Sequence, residues 1–193
     1  MDYQLEQLIN GPAGIHPALD LLMRGIAGGA EILFLGVIAL WFLYGWITGR
    51  PDDRRGALTA FVAALGALAV VQVIDRLWAR PRPFIAHPDT VHLLVAHGAD
   101  PSFPSDHVVA ACAIAVVLVS FHRRWGAVAL LCAVVLAHAR VYIGVHYPGD
   151  VLGGFLVGTL VALILIRLAT PLMTWLTALV DRIIRLVRLP LPA

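Results

Sequence analysis

The stretch Ser102-Phe-Pro-Ser-Asp-His107 stands at the mouth of an uncharged run, Val108 to Phe121. Pro104 breaks any preceding helix, so Ser105 falls where a new one begins, as a natural N-cap, with Asp106 and His107 in the first turn. That turn offers unpaired N–H groups and the positive end of the helix dipole, a combination that favours an anion such as phosphate. A cap accounts for Ser105 and Asp106 but not for His107, which is costly at a helix start facing a membrane. Three other pieces carry matching chemistry: Arg80-Pro-Arg-Pro83, Arg140 and His146-Tyr-Pro-Gly-Asp150. An arginine presents a planar fork matched to phosphate oxygens, and several around a helix N-terminus make a phosphate cage. Two histidines with no serine elbow divide into one nucleophile and one proton donor. Asp150, four residues after His146, can hold one ring nitrogen and leave the other to attack.

Each piece alone has a plainer reading. Asp150 after Pro-Gly is a good N-cap, Arg82 a good interfacial anchor, and His146 an ordinary interfacial histidine. Glu31 is either a functional buried acid or a group solvated or locally paired near the headgroups. Cys112 and Cys132 sit in apolar runs without metal-ligand spacing and read as small core residues. What separates the functional reading from the plain ones is convergence, and that depends on the elements carrying these residues.

Those elements are membrane helices. The 193 residues are 60% hydrophobic and 13% charged, with a mean hydropathy of +0.86, whereas soluble domains are about half apolar and a quarter charged. The chain reads as an all-α polytopic helix bundle, one domain over residues 1–193, with five to six transmembrane helices and a C-terminal amphipathic helix. Residues 3–22 read as a short interfacial lead-in. Asp2 and Glu6 stand where a signal peptide would be basic, so the first apolar helix is expected to remain in the mature protein. Spans are expected at about 25–48, 56–74, 105–121, 125–140 and 150–167. Arg50 to Arg55 form a charged turn, and a loop over 84–104 holds His87, His92 and His97. The last three spans have uncharged cores of only 14, 15 and 16 residues, so their polar ends must sit at or just below the interface. After Pro171, Thr174, Thr177, Asp181, Arg185 and Arg188 alternate with Leu172, Trp175, Leu176, Leu179, Ile183 and Leu186. That is the pattern of a helix lying on the membrane.

All 14 basic residues are arginines, and the net charge of +2 is too small to argue for a nucleic-acid partner. With five spans, nine of them (Arg50, Arg54, Arg55, Arg123, Arg124, Arg167, Arg182, Arg185 and Arg188) share one face, which the positive-inside rule puts in the cytoplasm. The opposite face collects Arg76, Arg80, Arg82, Ser105, Asp106, His107, Arg140, His146 and Asp150. Every candidate for chemistry lands on one side.

These pieces resemble the three-part signature of the type 2 phosphatidic acid phosphatase superfamily: Arg82-Pro83, Pro-Ser-Asp-His at 104–107, and Ala-Arg-Val-Tyr-Ile-Gly-Val-His-Tyr-Pro-Gly-Asp at 139–150. The resemblance covers roughly Ile74 to Gly154. It implies that His146 attacks phosphorus, Asp150 orients it and His107 protonates the leaving group, while Arg82, Ser105 and Arg140 bind phosphate without a metal or other cofactor. Three positions depart from the pattern: Asp75 replaces a lysine, Asp106 a common glycine and Ala139 a serine. Arg76 or Arg80 is expected to replace the lysine's charge. Asp106 is expected to pair with Arg76, Arg80 or Arg82, to act on a second phosphate's proton or on His107, or only to stabilise the first turn. Pro-Ser-Asp-His is similar to the bacterial undecaprenyl-diphosphate phosphatase branch, the bacitracin-resistance type. That branch implies hydrolysis of a polyprenyl diphosphate on the outer face of the bacterial cell membrane, recycling the cell-wall carrier lipid. A phosphatidylglycerophosphate or phosphatidate phosphatase is the alternative within the class. Two readings lie outside it, a small transporter or proton channel and a metal site built from His87, His92, His97, His107 and His146. The channel requires ionisable residues near the bilayer middle rather than at one rim.

Overall fold

The computed structural model describes residues 1–186, and every regular element among them is a helix. Eight occur in order: α1 (Asp2–Asn10), α2 (Pro17–Ile47), α3 (Pro51–Leu77), α4 (Pro83–Ala86), α5 (Asp106–Phe121), α6 (Arg123–Tyr142), α7 (Pro148–Leu168) and α8 (Thr170–Leu186). Helices α2, α3, α6 and α7 are long and apolar enough to cross a membrane, and α5 is a shorter apolar helix. The five spans stand as expected, but several start earlier than hydropathy placed them. Pro17, Pro51 and Pro148 each open a helix, where a missing N–H costs nothing. Asp52 and Asp53 favour the positive end of α3. The charged turn is therefore the first turn of a span, and the lead-in divides into α1 and the first turns of α2.

Helix α5 is the centre, packed against α3, α6 and α7. Val108, Val109, Ala111, Cys112, Ala113, Ile114, Ala115, Val117 and Leu118 are all buried along it. Protein surrounds most of α5, so its 16 residues, about 24 Å at 1.5 Å per residue, need not match a lipid core. Small residues let the neighbours approach: Ala57, Ala60, Ala63, Ala64 and Ala67 line the inner face of α3. Gly154 and Gly158 face α5 from α7. A Cβ on Gly158 would meet the Val109 carbonyl oxygen at 2.5 Å, and one on Gly154 would meet Val108 Cβ at 3.0 Å. This is close packing of the small-xxx-small kind, in which backbones rather than long side chains make the contact.

Helix α8 is amphipathic as expected, and two of its polar positions turn inward: Thr177 and Asp181 are buried with Met173, while Leu172, Thr174, Trp175, Ile183 and Leu186 are exposed. Asp181 makes a bidentate pair with Arg54 in the first turns of α3, at 3.0 and 2.8 Å. Because α8 begins where α7 ends and reaches the start of α3, it lies across that end of the bundle. Arg182 is exposed, whereas Arg188 and the Arg185 side chain lie outside the described residues.

Candidate active site

The opposite end gathers the signature residues. Helix α6 stops at Tyr142, and Gly144, in the left-handed region at φ +83°, reverses the chain. A Cβ there would meet the His92 carbonyl oxygen at 2.8 Å. The reversal tucks His146, fully buried, back beneath the end of α6. His146 Nδ1 lies 2.9 Å from the Ser102 carbonyl oxygen and 3.6 Å from Asp150 Oδ2. A carbonyl only accepts, so Nδ1 carries the proton and Nε2 is left with a bare lone pair. Nε2 sits between two guanidiniums, 3.2 Å from Arg82 and 3.4 Å from Arg140. Burial, with the charges of Arg140 and Arg82, pushes the imidazole pKa down to about 4 despite the opposing Asp150. At neutral pH the ring is uncharged and nucleophilic.

Asp150 is the third residue of α7 rather than its cap. One oxygen accepts from the Tyr147 N–H at 2.8 Å and from the Ser102 hydroxyl, and the other accepts from Arg80 at 2.6 Å. Both arms of the Arg80 guanidinium are thus engaged by carboxylates, Asp150 and Asp2. Burial works against its charge, but the Asp2 hydrogen bond and the Asp150 carboxylate hold its pKa above the ordinary value.

Arg82 and Arg140 are 3% and 5% exposed. Arg82 is held by the Val145 carbonyl at 3.0 Å and by Asp100, through its carbonyl at 3.0 Å and its carboxylate at 2.7 Å. Burial alone would raise the Asp100 carboxyl, yet the hydrogen bond and charge of Arg82 keep it below the usual carboxylate range. Two buried polar atoms here have no partner, Ser105 Oγ and Arg140 Nε. Ser105 occupies the N-cap position, but its hydroxyl does not cap the helix. An orphaned hydroxyl and an orphaned guanidinium N–H beside two arginines are what a bound phosphate would satisfy.

His107 faces two carboxylates, with Nδ1 2.8 Å from Asp106 and Nε2 3.2 Å from Glu31 on α2. Of the two readings of Glu31, the structure gives a local pairing. Asp106 pairs with His107 rather than with Arg76, Arg80 or Arg82, and it is in electrostatic reach of His146 and Arg140. Arg76 is not brought to the cluster; it is exposed in the last turn of α3. Asp75 leaves one buried oxygen without a partner. Ala139 packs with Ala13, Ala27 and Tyr142. The loop histidines separate: His87 stacks on Tyr3 at 3.7 Å, His92 engages Asn10 through its backbone, and His97 lies 3.2 Å from Arg140. Reading the sequence missed Asp2, Asp100 and the Ser102 carbonyl, none of which carries a local spacing signal.

A groove of about 230 Å³ opens beside this cluster, between α2, α3 and α5. Glu31, Asp106 and His107 stand at its polar end, and Phe34, Leu35, Phe61, Leu65 and Ile114 wall the rest. A larger cavity of about 740 Å³ lies at the other end, among Arg50, Asp53, Arg55 and His122, and contains none of the signature residues.

A family model described as the PAP2 superfamily matches residues 56–174. The chain is 32% identical over 167 residues to undecaprenyl-diphosphatase BcrC of Bacillus subtilis (strain 168), covering 86% of this chain and 83% of that one. It is 34% identical over 159 residues to the putative undecaprenyl-diphosphatase YbjG of Escherichia coli (strain K12), covering 82% and 77%. Among solved structures, Aquifex aeolicus LpxE aligns with a TM-score of 0.72 at 28% identity, over 84% of this chain and 93% of the other. A PAP2-type phosphatidylglycerolphosphate phosphatase from Bacillus subtilis aligns with a TM-score of 0.63 at 25% identity, over 83% and 82%. By this family match and these relatives, the chain belongs to the PAP2 superfamily and is a membrane-embedded lipid phosphatase.

Proposed function

We propose that the chain hydrolyses undecaprenyl diphosphate to undecaprenyl phosphate on the outer face of the bacterial cell membrane, through a phosphohistidine on His146, and so recycles the cell-wall carrier lipid. The observation that carries the mechanism is the bare Nε2 of His146, held between Arg82 and Arg140 while its Nδ1–H is tied to Ser102. Nε2 attacks the terminal phosphorus. The bond to the bridging oxygen breaks, its electron pair leaves with that oxygen, and His107 gives the oxygen a proton. Arg82, Arg140 and the Ser105 hydroxyl bind the remaining phosphate oxygens as their charge shifts. Water then attacks the phosphohistidine, His107 takes the water's proton, and inorganic phosphate leaves as Nε2 recovers its pair. The undecaprenyl substrate is supported by the names of the two relatives above and by the apolar walls of the groove beside His107. The outer face is supported by the arginine asymmetry of the two ends. A phospholipid monophosphate is the second reading, favoured by the phosphatidylglycerolphosphate phosphatase likeness.

The test compares His146→Ala with His107→Ala on a prenyl diphosphate, on phosphatidylglycerophosphate and on p-nitrophenyl phosphate. Both variants should be nearly inactive on the lipids, since loss of a general acid slows such steps by about 10² to 10⁴. On the activated ester, whose leaving group needs no proton, His107→Ala should recover more activity than His146→Ala. Equal residual rates there would reject these roles. A wild-type kcat/KM higher for the monophosphate lipid than for the diphosphate would reject the substrate.

A further inference from the structure

Helix α1 enters the active site through its first side chain. Asp2 Oδ1 accepts the Gly149 N–H at 2.8 Å, and Asp2 Oδ2 accepts from Arg80 at 2.6 Å. The other arm of the same guanidinium donates to Asp150 at 2.6 Å, and the group lies over the Tyr147 ring, 4.1 Å from its centroid. A Cβ at Gly149 would sit 2.7 Å from the Asp2 carboxylate, so a side chain there would displace it. The rest of α1 is fixed as well. The Tyr3 hydroxyl lies 2.6 Å from that of Thr90, and the Asn10 amide donates to the Tyr142 carbonyl at 2.7 Å. Asp2 is thus held against the His146–Asp150 turn from two sides.

Charge gives this arrangement a purpose. If Arg80 served Asp150 alone, one cation would neutralise one anion directly behind the nucleophile. With Asp2 sharing Arg80, two carboxylates and one guanidinium leave a net charge of about −1 facing His146. The ring becomes positive as its Nε2–phosphorus bond forms, so the surplus negative charge stabilises that product. We infer that Asp2 is a positioning residue of the active site, sharing Arg80 with Asp150 and holding the Gly149 N–H so that the acid behind His146 stays fixed. This rests on the reading of His146 as nucleophile.

The experiment uses the full chain in detergent and follows the rate of ³²P-phosphoenzyme formation from labelled lipid phosphate. Variants are Asp2→Ala, Asp2→Asn, Asp2→Glu, Arg80→Ala and the Asp2→Ala/Arg80→Ala pair, with thermal midpoints measured alongside. Asp2→Ala should slow labelling by about 10- to 100-fold, the range typical for a partner one shell removed from the reacting group, with KM and thermal midpoint little changed. Asp2→Asn, which keeps the shape but not the charge, should also be slow, and Asp2→Glu should recover part of the rate. Because Asp2 acts through Arg80, its loss should matter far less in the Arg80→Ala background. Wild-type labelling rates in Asp2→Ala, losses that multiply in the double variant, or a loss that tracks unfolding would each overturn the proposal. If the wild type takes no label at all, the nucleophile itself is misassigned and the role of Asp2 falls with it.

Discussion

At the scale of single residues, burial decides the chemistry of His146. Its pKa near 4, against 6.5 for an ordinary imidazole, comes from desolvation first and from the two arginines second. The unfolded chain takes up a proton below 6.5 that the folded chain refuses until about 4. The contribution to stability is therefore whole above 6.5 and is lost as pH falls toward 4, about 3 kcal/mol in all. The kinetic counterpart is a prediction. For p-nitrophenyl phosphate, the acid limb of kcat/KM that reports His146 should have its half-point near 4; a half-point near 6.5 would show an imidazole open to water. The histidines, Asp150, Arg82, Arg140 and Ser105 could be read from the sequence because their types and spacings carry the signal. Asp100 and Asp2 could not, since each acts through an arginine distant in sequence. Arg80 was legible only as a charge, because its two carboxylate partners lie 78 and 70 residues away in the chain.

Among the elements, the contact between α5 and α7 carries the site. The Ser105 N–H donates to the Asp150 carbonyl at 3.1 Å, tying the starts of the two helices together where the signature residues converge. That bond requires the close approach made by Gly154 and Gly158. Gly158→Ala should cost about 1–3 kcal/mol by overpacking against the Val109 carbonyl, and it should lower kcat as the two helix starts separate. Gly66→Ala on α3 is the control, because its added Cβ would meet its nearest neighbour, Val161 Cγ1, at an ordinary 3.6 Å. Thermal midpoints and phosphate release in detergent measure both. Five spans were legible because long apolar runs leave few alternatives. Their starts were not, because Pro51-Asp-Asp reads equally as a turn and as a well-favoured first turn of helix. The inward turn of Thr177 and Asp181 on α8 was hidden for another reason: periodicity shows that a helix has two faces, not which one meets the protein.

For the molecule as a whole, charge is divided between two ends with an alanine-rich middle, and each end has its own anchor. At the end away from the active site the anchor is Arg54–Asp181, with side chains 9% and 12% exposed. Asp181→Ala leaves a buried guanidinium without its carboxylate and should cost about 3–5 kcal/mol, seen as a lower thermal midpoint. Phosphoenzyme formation in the protein that stays folded should be unchanged, because that anchor lies across the bundle from His146. At the active-site end the anchor is the contact of Asp2 with Arg80 and Gly149, and it has a consequence in time. Asp2 is synthesised 147 residues before Gly149, an interval of roughly 7 to 30 s at ordinary translation rates. Once residues 80–90 are made, Arg80 and Thr90 can engage α1, but through the rest of that interval Arg80 has no Asp150 to hold. On the proposed roles, the turn carrying His146 and Asp150 is complete only when α7 has come home to the first helix.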